Sequence, residues 1–135
     1  MINVIAGPKG SGKTKAFIEE INQAVSKAKG NIVCIEKSNR LMYDLDKKIR
    51  LIDTQEFDLT KADVFAGFIY GIISQDFDIT NIFIESLNKI IPDKGEYEAV
   101  VKMAEEIGEK FGIDFTITVS AELSDIPEGV KKYIA

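Results

Sequence analysis

A glycine-rich octapeptide constrains this chain more than any other feature. Residues 7–14 read Gly-Pro-Lys-Gly-Ser-Gly-Lys-Thr and directly follow the apolar run 2–6. The pattern G-x-x-x-x-G-K-[ST], placed between a buried strand and a helix, is the phosphate-binding P-loop. Apolar residues then recur at helical spacing until Gly30. These apolar positions are Phe17, Ile18, Ile21, Ala24, Val25 and Ala28. The sequence therefore predicts a strand, a P-loop and a helix in succession.

The residue types of this loop define the chemistry that we expect of it. Glycines at 7, 10 and 12 allow positive φ angles, so that successive backbone N–H groups can cradle an anion at the positive end of the following helix. Lys13 is placed to reach the β- and γ-phosphates, and the Thr14 hydroxyl is placed to bind Mg²⁺. The predicted nucleotide-binding residues are Gly7, Pro8, Lys9, Gly10, Ser11, Gly12, Lys13, Thr14 and Lys15.

Length and composition limit the remaining possibilities. With 135 residues, 45% hydrophobic and 29% charged, the chain is expected to form a single nucleotide-binding domain over residues 1–135. No apolar stretch is long enough to span a bilayer. Met1 leads into a strand rather than into the basic segment and apolar core of a signal peptide, so we expect a cytoplasmic protein.

Charge and missing residue types exclude several kinds of site. A net charge of −5, with 15 lysines and two arginines interleaved with carboxylates, argues against general nucleic-acid binding. Histidine is missing, so catalysis would depend on carboxylates, lysine and Mg²⁺. Cys34 is the single cysteine, which excludes an intrachain disulfide, zinc or iron–sulfur site. Its place in the apolar run 32–35 predicts core packing.

Short apolar, β-branched runs predict the other strands. The five predicted strands cover residues 2–6, 31–35, 49–52, 81–85 and 115–119. Helical patterns separate most of them, and strands that alternate with helices form a parallel sheet with helices on both faces. The predicted fold class is therefore α/β, with a mainly parallel five-stranded sheet.

Four further helices are predicted between and after these strands. They cover about 41–47, 60–75, 97–111 and 127–133. Thr60 is a candidate N-cap of the second, and Gly112 closes the third. Gly67 and Gly71 share one face of the second helix, a spacing that favours close packing on the sheet over a dimerisation face.

Polar residues at the carboxyl ends of the predicted strands form the candidate site, because ligands of open parallel sheets bind at that edge. Glu85, followed by Ser86, is placed to hold Mg²⁺ through water or to polarise an attacking water. Glu36 is a second candidate for orienting water, although it can equally be a solvated loop acid. Arg40 is a candidate for charge stabilisation, and Ser120 either senses the γ-phosphate or belongs to a turn.

The order of these elements resembles the RecA-like ATPase core over nearly the whole chain. Residues 82–86 (Ile-Phe-Ile-Glu-Ser) resemble its Walker B segment, with Glu85 in place of Asp. Residues 34–38 resemble the end of its second strand, where either Glu36 or Ser38 takes the position of the water-activating glutamate; Ser120 takes the sensor position. The resemblance implies a three-layer P-loop NTPase fold. The chain is also similar to small bacterial P-loop proteins that are often labelled twitching-motility (PilT-type) ATP-binding proteins.

These observations predict a Mg²⁺-dependent ATP-binding protein, a slow ATPase whose turnover needs a protein partner or self-association. No guanine-reading Asn-Lys-x-Asp segment is present, which favours ATP. The alternative is a nucleotide-responsive binding module with little hydrolysis. A third interpretation, a small-molecule kinase that resembles the type II thymidine kinase core, is weakened because Arg40 and Arg50 are the only arginines.

Overall fold

A parallel sheet of five strands organises the chain, whose computed structural model describes residues 1–134. The strands are β1 (Ile2–Gly7), β2 (Asn31–Glu36), β3 (Arg50–Asp53), β4 (Ile79–Ile84) and β5 (Asp114–Ser120). Their spatial order is β1-β5-β4-β2-β3, and every neighbouring pair is parallel. The predicted α/β class with a five-stranded parallel sheet is confirmed.

Helices connect most of the strands, whereas β2 and β3 are joined by turns. The helices are α1 (Lys13–Lys27), α2 (Ala62–Ser74), α3 (Leu87–Ile90), α4 (Tyr97–Phe111) and α5 (Glu128–Lys131), together with short 3₁₀ turns at Lys94–Glu96 and Leu123–Asp125. Gly112 ends α4 with a φ of 68°, as predicted for a left-handed cap. The last helix is shorter than predicted, since it ends before Tyr133, whose carbonyl accepts a hydrogen bond from Val4 of β1. Among the helices of residues 1–134, none has the length and apolar character that crossing a bilayer requires.

The two faces of the sheet pack against different helices, because successive residues of a strand point to opposite sides. In β2, Ile32 and Cys34 pack with Phe17 of α1. Val33 and Ile35 belong instead to the larger cluster built with α2 and α4. The Cys34 side chain is fully buried, and burial raises the pKa of its thiol, in keeping with the predicted role in core packing.

Two local predictions are wrong because side chains from distant elements determine the backbone. Residues 41–47 form turns instead of a short helix. There, the Asn22 side chain of α1 donates to the Asp44 carbonyl and accepts from the Asp46 N–H. Thr60 does not cap α2, since its hydroxyl donates to Asp58, and the Ala62 N–H donates to Glu96 at 2.8 Å.

Gly67 and Gly71 do not pack on the sheet, contrary to the prediction. Both glycines are exposed. A Cβ atom added at either would meet no atom of the described chain within 4 Å. The buried face of α2 is formed instead by its bulky apolar residues, which are Phe65, Ile69, Ile72 and Ile73.

Substituting these exposed glycines is therefore expected to stabilise the fold. Gly67→Ala or Gly71→Ala should each add about 0.5–1 kcal/mol, because alanine loses less conformational entropy than glycine in a helix. In contrast, Gly108→Ala in α4 should destabilise, since its Cβ would lie 2.7 Å from the Ile113 carbonyl oxygen. Urea unfolding of all three variants and the wild type measures the change in the free energy of unfolding. A loss of stability in Gly67→Ala would contradict the exposed placement.

Candidate functional site

The glycine-rich segment 7–14 forms a compact loop that leads from β1 into α1. Gly10 and Gly12 have φ angles of 87° and 88°, in the left-handed region that side chains disfavour. At Gly7 the constraint is space, since an added Cβ would lie 2.8 Å from Ser11 Oγ. The Ser11 N–H donates to the Pro8 carbonyl at 3.2 Å and closes the turn. The three glycines of the loop are thus accounted for by backbone angle or by close approach.

Lys13 folds back over this loop. Its ammonium group donates to the Pro8 carbonyl at 2.8 Å and to Ser11 Oγ at 3.4 Å. Partial burial lowers the pKa of Lys13, and the nearby Glu85 carboxylate opposes that decrease. The loop oxygens therefore hold the ammonium group at the mouth of the loop, and the Glu85 carboxylate acts on it through charge attraction alone.

The amino end of α1 is rich in positive charge. Its first turn has no acidic residue and contains Lys13 and Lys15, although a helix N-terminus favours carboxylates over lysines. Within the described chain, no side chain caps this end by a hydrogen bond. Thr14 and Lys15 are exposed beside it. An anion bound in the loop would compensate this charge, as it does at other helix N-termini.

Two glutamates are buried side by side at the same edge of the sheet. Glu36 ends β2 and Glu85 follows β4, and the pairing of these strands places Ile35 opposite Ile84. The Glu85 N–H donates to the Ile35 carbonyl at 2.9 Å. Glu36 is 1% exposed and Glu85 is 4% exposed. Both acids that the sequence singled out therefore meet, and both are far more buried than solvated loop acids.

The loop after β2 wraps around the Glu36 carboxylate. Ser38 Oγ donates to Oε1 at 2.8 Å, and the Leu41 N–H approaches Oε2 at 3.5 Å. Burial raises the pKa of Glu36, the hydrogen bonds from Ser38 and Leu41 oppose that rise, and the Glu85 carboxylate adds to it. Both Glu36 oxygens are thus engaged by the protein.

This raised pKa predicts a pH dependence of stability. The folded chain binds a proton at Glu36 more tightly than the unfolded chain does. Its contribution to the free energy of unfolding therefore falls as pH rises from the ordinary value of 4.5 through the raised folded pKa. Glu36→Gln removes this titration. We expect the wild type to lose stability relative to Glu36→Gln across that window, measured by urea unfolding at a series of pH values. If the difference in free energy of unfolding between the two proteins stays constant across this pH range, the raised pKa of Glu36 is contradicted.

Glu85 has an oxygen without a hydrogen-bond partner. Its Oε1 accepts from the Ser86 hydroxyl. Its Oε2 is buried, accepts no hydrogen bond from any residue that the structure describes, and lies 3.9 Å from Arg40 Nη2. A buried carboxylate oxygen in this state is costly unless water, a metal or a ligand satisfies it. Of the two buried glutamates, Glu85 is therefore the better suited to contact a bound molecule.

Thr14 and Glu85 fit a metal ion whose other ligands are waters and phosphate oxygens. No cluster of three or more ligating side chains that could hold a metal occurs within residues 1–134. Mg²⁺ keeps several waters and is commonly bound through one or two protein oxygens together with phosphates. The Thr14 hydroxyl, exposed in the first turn of α1, and Glu85 Oε2 are oxygens of the required kind.

Arg40 joins the two acids. Its Nε lies 3.7 Å from Glu36 Oε1, and its Nη2 reaches toward Glu85. The Ser38 hydroxyl also accepts from Arg40 Nε and from the Arg40 N–H, both at 3.3 Å. The predicted candidates Glu36, Glu85 and Arg40 thus form one charged cluster at the carboxyl edge.

Three polar residues around Glu85 have conformations or contacts that sequence patterns do not reveal. Ser86 has a φ of 50°, an unusual left-handed conformation for a residue with a side chain, and its N–H donates to Thr118 Oγ1 at 2.7 Å. Asn88 accepts from the Ser120 N–H at 2.8 Å. Thr118 and Asn88 were missed, since only the packing of β4 and α3 against β5 brings them here. Ser120 itself pairs with Gly7 and so lies beside the loop.

A large cleft lies elsewhere. Its volume is about 1120 Å³, and residues at the amino ends of β1 and β5, such as Asn3 and Asp114, line it together with Glu19 and Gln23 of α1. Its lining includes none of the predicted site residues. The candidate site is therefore the exposed loop and the charged cluster, not this cleft.

No protein-family model matches the sequence, and a search of curated proteins finds no match either.

Proposed function

We propose that this chain binds Mg²⁺–ATP on residues 7–15 and hydrolyses it slowly, with turnover that depends on a protein partner or on self-association. One observation carries the proposal. A glycine loop with two left-handed residues holds Lys13 at its mouth, and Lys13 lies near the buried carboxylate of Glu85, whose Oε2 has no hydrogen-bond partner in the described structure. Cationic and anionic groups in this arrangement suit a metal-bound triphosphate.

Each residue of the loop has a distinct role in this proposal. The backbone N–H groups of the loop and the amino end of α1 bind the phosphates. Lys13 exchanges its contacts with Pro8 and Ser11 for phosphate oxygens. The Thr14 hydroxyl would hold Mg²⁺ and Glu85 would hold it through water, and the metal would neutralise developing charge on the phosphates.

Glu85 is favoured over Glu36 as the acid that contacts water. Both Glu36 oxygens are engaged by the loop after β2, whereas Glu85 Oε2 accepts no hydrogen bond within the described chain. An acid that orients water needs an oxygen free to accept from it. In this proposal Glu36 fixes the loop that carries Ser38 and Arg40.

The strand order supports the proposed RecA-like, three-layer P-loop fold. β5 separates β1 from β4, so Ser120 comes between the glycine loop and the Glu85-tipped strand. Polar or charged residues thus follow three neighbouring strands at one edge, where a triphosphate and its attacking water can be contacted together.

Single-turnover release of γ-phosphate tests the proposal. We expect slow release that requires Mg²⁺ and is eliminated by EDTA. Tight ATP binding without release would favour the nucleotide-responsive module instead. Failure of ATP to bind in the presence of Mg²⁺ would overturn the proposed function altogether.

A further inference from the structure

Arg40 has two unequal contacts with the acids. Toward Glu36, the 3.7 Å contact is reinforced by the Ser38 hydroxyl, which bonds to both partners. Toward Glu85, the 3.9 Å distance is too long for a hydrogen bond and only charge attraction acts. The Arg40 side chain is 58% exposed. The contact with Glu85 is therefore the weaker of the two and the easier to break.

The segment that carries Arg40 is short and anchored on both sides. Glu36 ends β2 on one side, and the buried Leu41 packs with the α1 cluster on the other. The intervening residues 37–40 are bends and turns. A small change in this segment can withdraw the guanidinium from Glu85 without disturbing the core.

We propose that Arg40 acts as a latch, meaning that its guanidinium occupies the Glu85 carboxylate until a ligand replaces it. Mg²⁺ must displace the Arg40 guanidinium from Glu85 when it enters with the nucleotide. The reason is competition, because the guanidinium and the hydrated metal need the same carboxylate oxygen and repel each other. This inference rests on the proposed function and describes the regulation of that site. Arg40 acts as a positioning residue: it compensates Glu85 before the nucleotide binds, and metal binding withdraws its guanidinium from Glu85 while Ser38 and Glu36 keep the loop in place.

The two arginines of the chain provide a direct signal. In a ¹H–¹⁵N spectrum, arginine Nε resonances should come from Arg40 and Arg50 alone. Arg50 is exposed at the start of β3 and serves as the internal reference. We expect the Arg40 resonance to shift when ATP and Mg²⁺ are both added, and to shift less with ATP and EDTA, while the Arg50 resonance stays in place. Equal Arg40 shifts with and without Mg²⁺ would overturn the latch.

A second measurement uses the metal requirement for ATP binding. Arg40→Gln should lower the Mg²⁺ concentration for half-maximal ATP binding roughly two- to fivefold, the size expected for losing one partly exposed ion pair. Arg50→Gln is the matched control and should leave it unchanged. An unchanged or increased requirement in Arg40→Gln, with normal ATP binding in the wild type, would overturn the latch alone. A wild type that fails to bind ATP would overturn the proposed function and the latch together.

Discussion

Lys13→Ala is expected to abolish tight ATP binding, with the Kd rising at least about 100-fold, since Lys13 is placed to bond to two phosphates and each hydrogen bond to a charged group contributes about 1.5–3 kcal/mol. The Lys13 ammonium already lies over the loop, bonded to Pro8 and Ser11, so it is positioned before the ligand arrives. Isothermal titration with ATP and Mg²⁺ measures the loss.

A matched control separates this effect from general charge loss. Lys102 is exposed on α4, and Lys102→Ala removes the same charge far from the loop. It should leave the Kd unchanged. Without nucleotide, Lys13→Ala should unfold at a temperature similar to the wild type, because a lysine in the first turn of a helix contributes little stability. Unchanged ATP affinity in a folded Lys13→Ala protein would remove the basis for the phosphate-binding role.

Features encoded by local sequence were predictable. Most of the strands are short runs rich in apolar, β-branched residues, and such runs form buried parallel strands with little influence from distant residues. The loop after β1 needs glycine at positions 10 and 12 because of its φ angles, and the motif glycine at position 12 therefore indicates the backbone conformation directly. Gly112 ends α4 for the same reason.

Features that depend on tertiary contacts were not predictable in this way. The turns at 41–47 are fixed by Asn22, which lies on another element, and α2 begins where Glu96 can accept from its backbone. No periodicity in a single segment contains such information. The spacing of Gly67 and Gly71 predicted close packing on the sheet. That prediction failed because the apolar residues of α2 determine which of its faces is buried.

In the candidate site, too, some features follow from local sequence and others depend on tertiary contacts. The rule that ligands bind at the carboxyl ends of parallel strands placed Glu36 and Glu85 at one edge correctly. That Arg40 contacts both acids depends on the conformation of the loop at 37–40, and the contact of Thr118 with Ser86 depends on how β4 packs against β5. The positions of Glu36 and Glu85 were therefore predictable, whereas the contacts of each side chain required the structure; their functional roles stay predictions.

Those contacts predict different effects for the two glutamates. Glu85→Gln is expected to slow γ-phosphate release about 100-fold or more while the Kd for ATP stays within about fivefold, because glutamine keeps the shape and loses the charge that orients water. Glu36→Gln should slow release about tenfold or less, since Ser38 and Leu41 already engage its oxygens.

Single-turnover phosphate release with Mg²⁺, measured on both variants at saturating ATP, compares these effects directly. The two substitutions are chemically identical and act on neighbouring strand ends, so each variant is the control for the other. If Glu36→Gln lowers the rate of phosphate release more than Glu85→Gln does, Glu36 is the residue that orients the water. In that case the oxygen of Glu85 without a hydrogen bond would serve the metal alone. Equal rates in both variants and the wild type would exclude either carboxylate from the hydrolytic step.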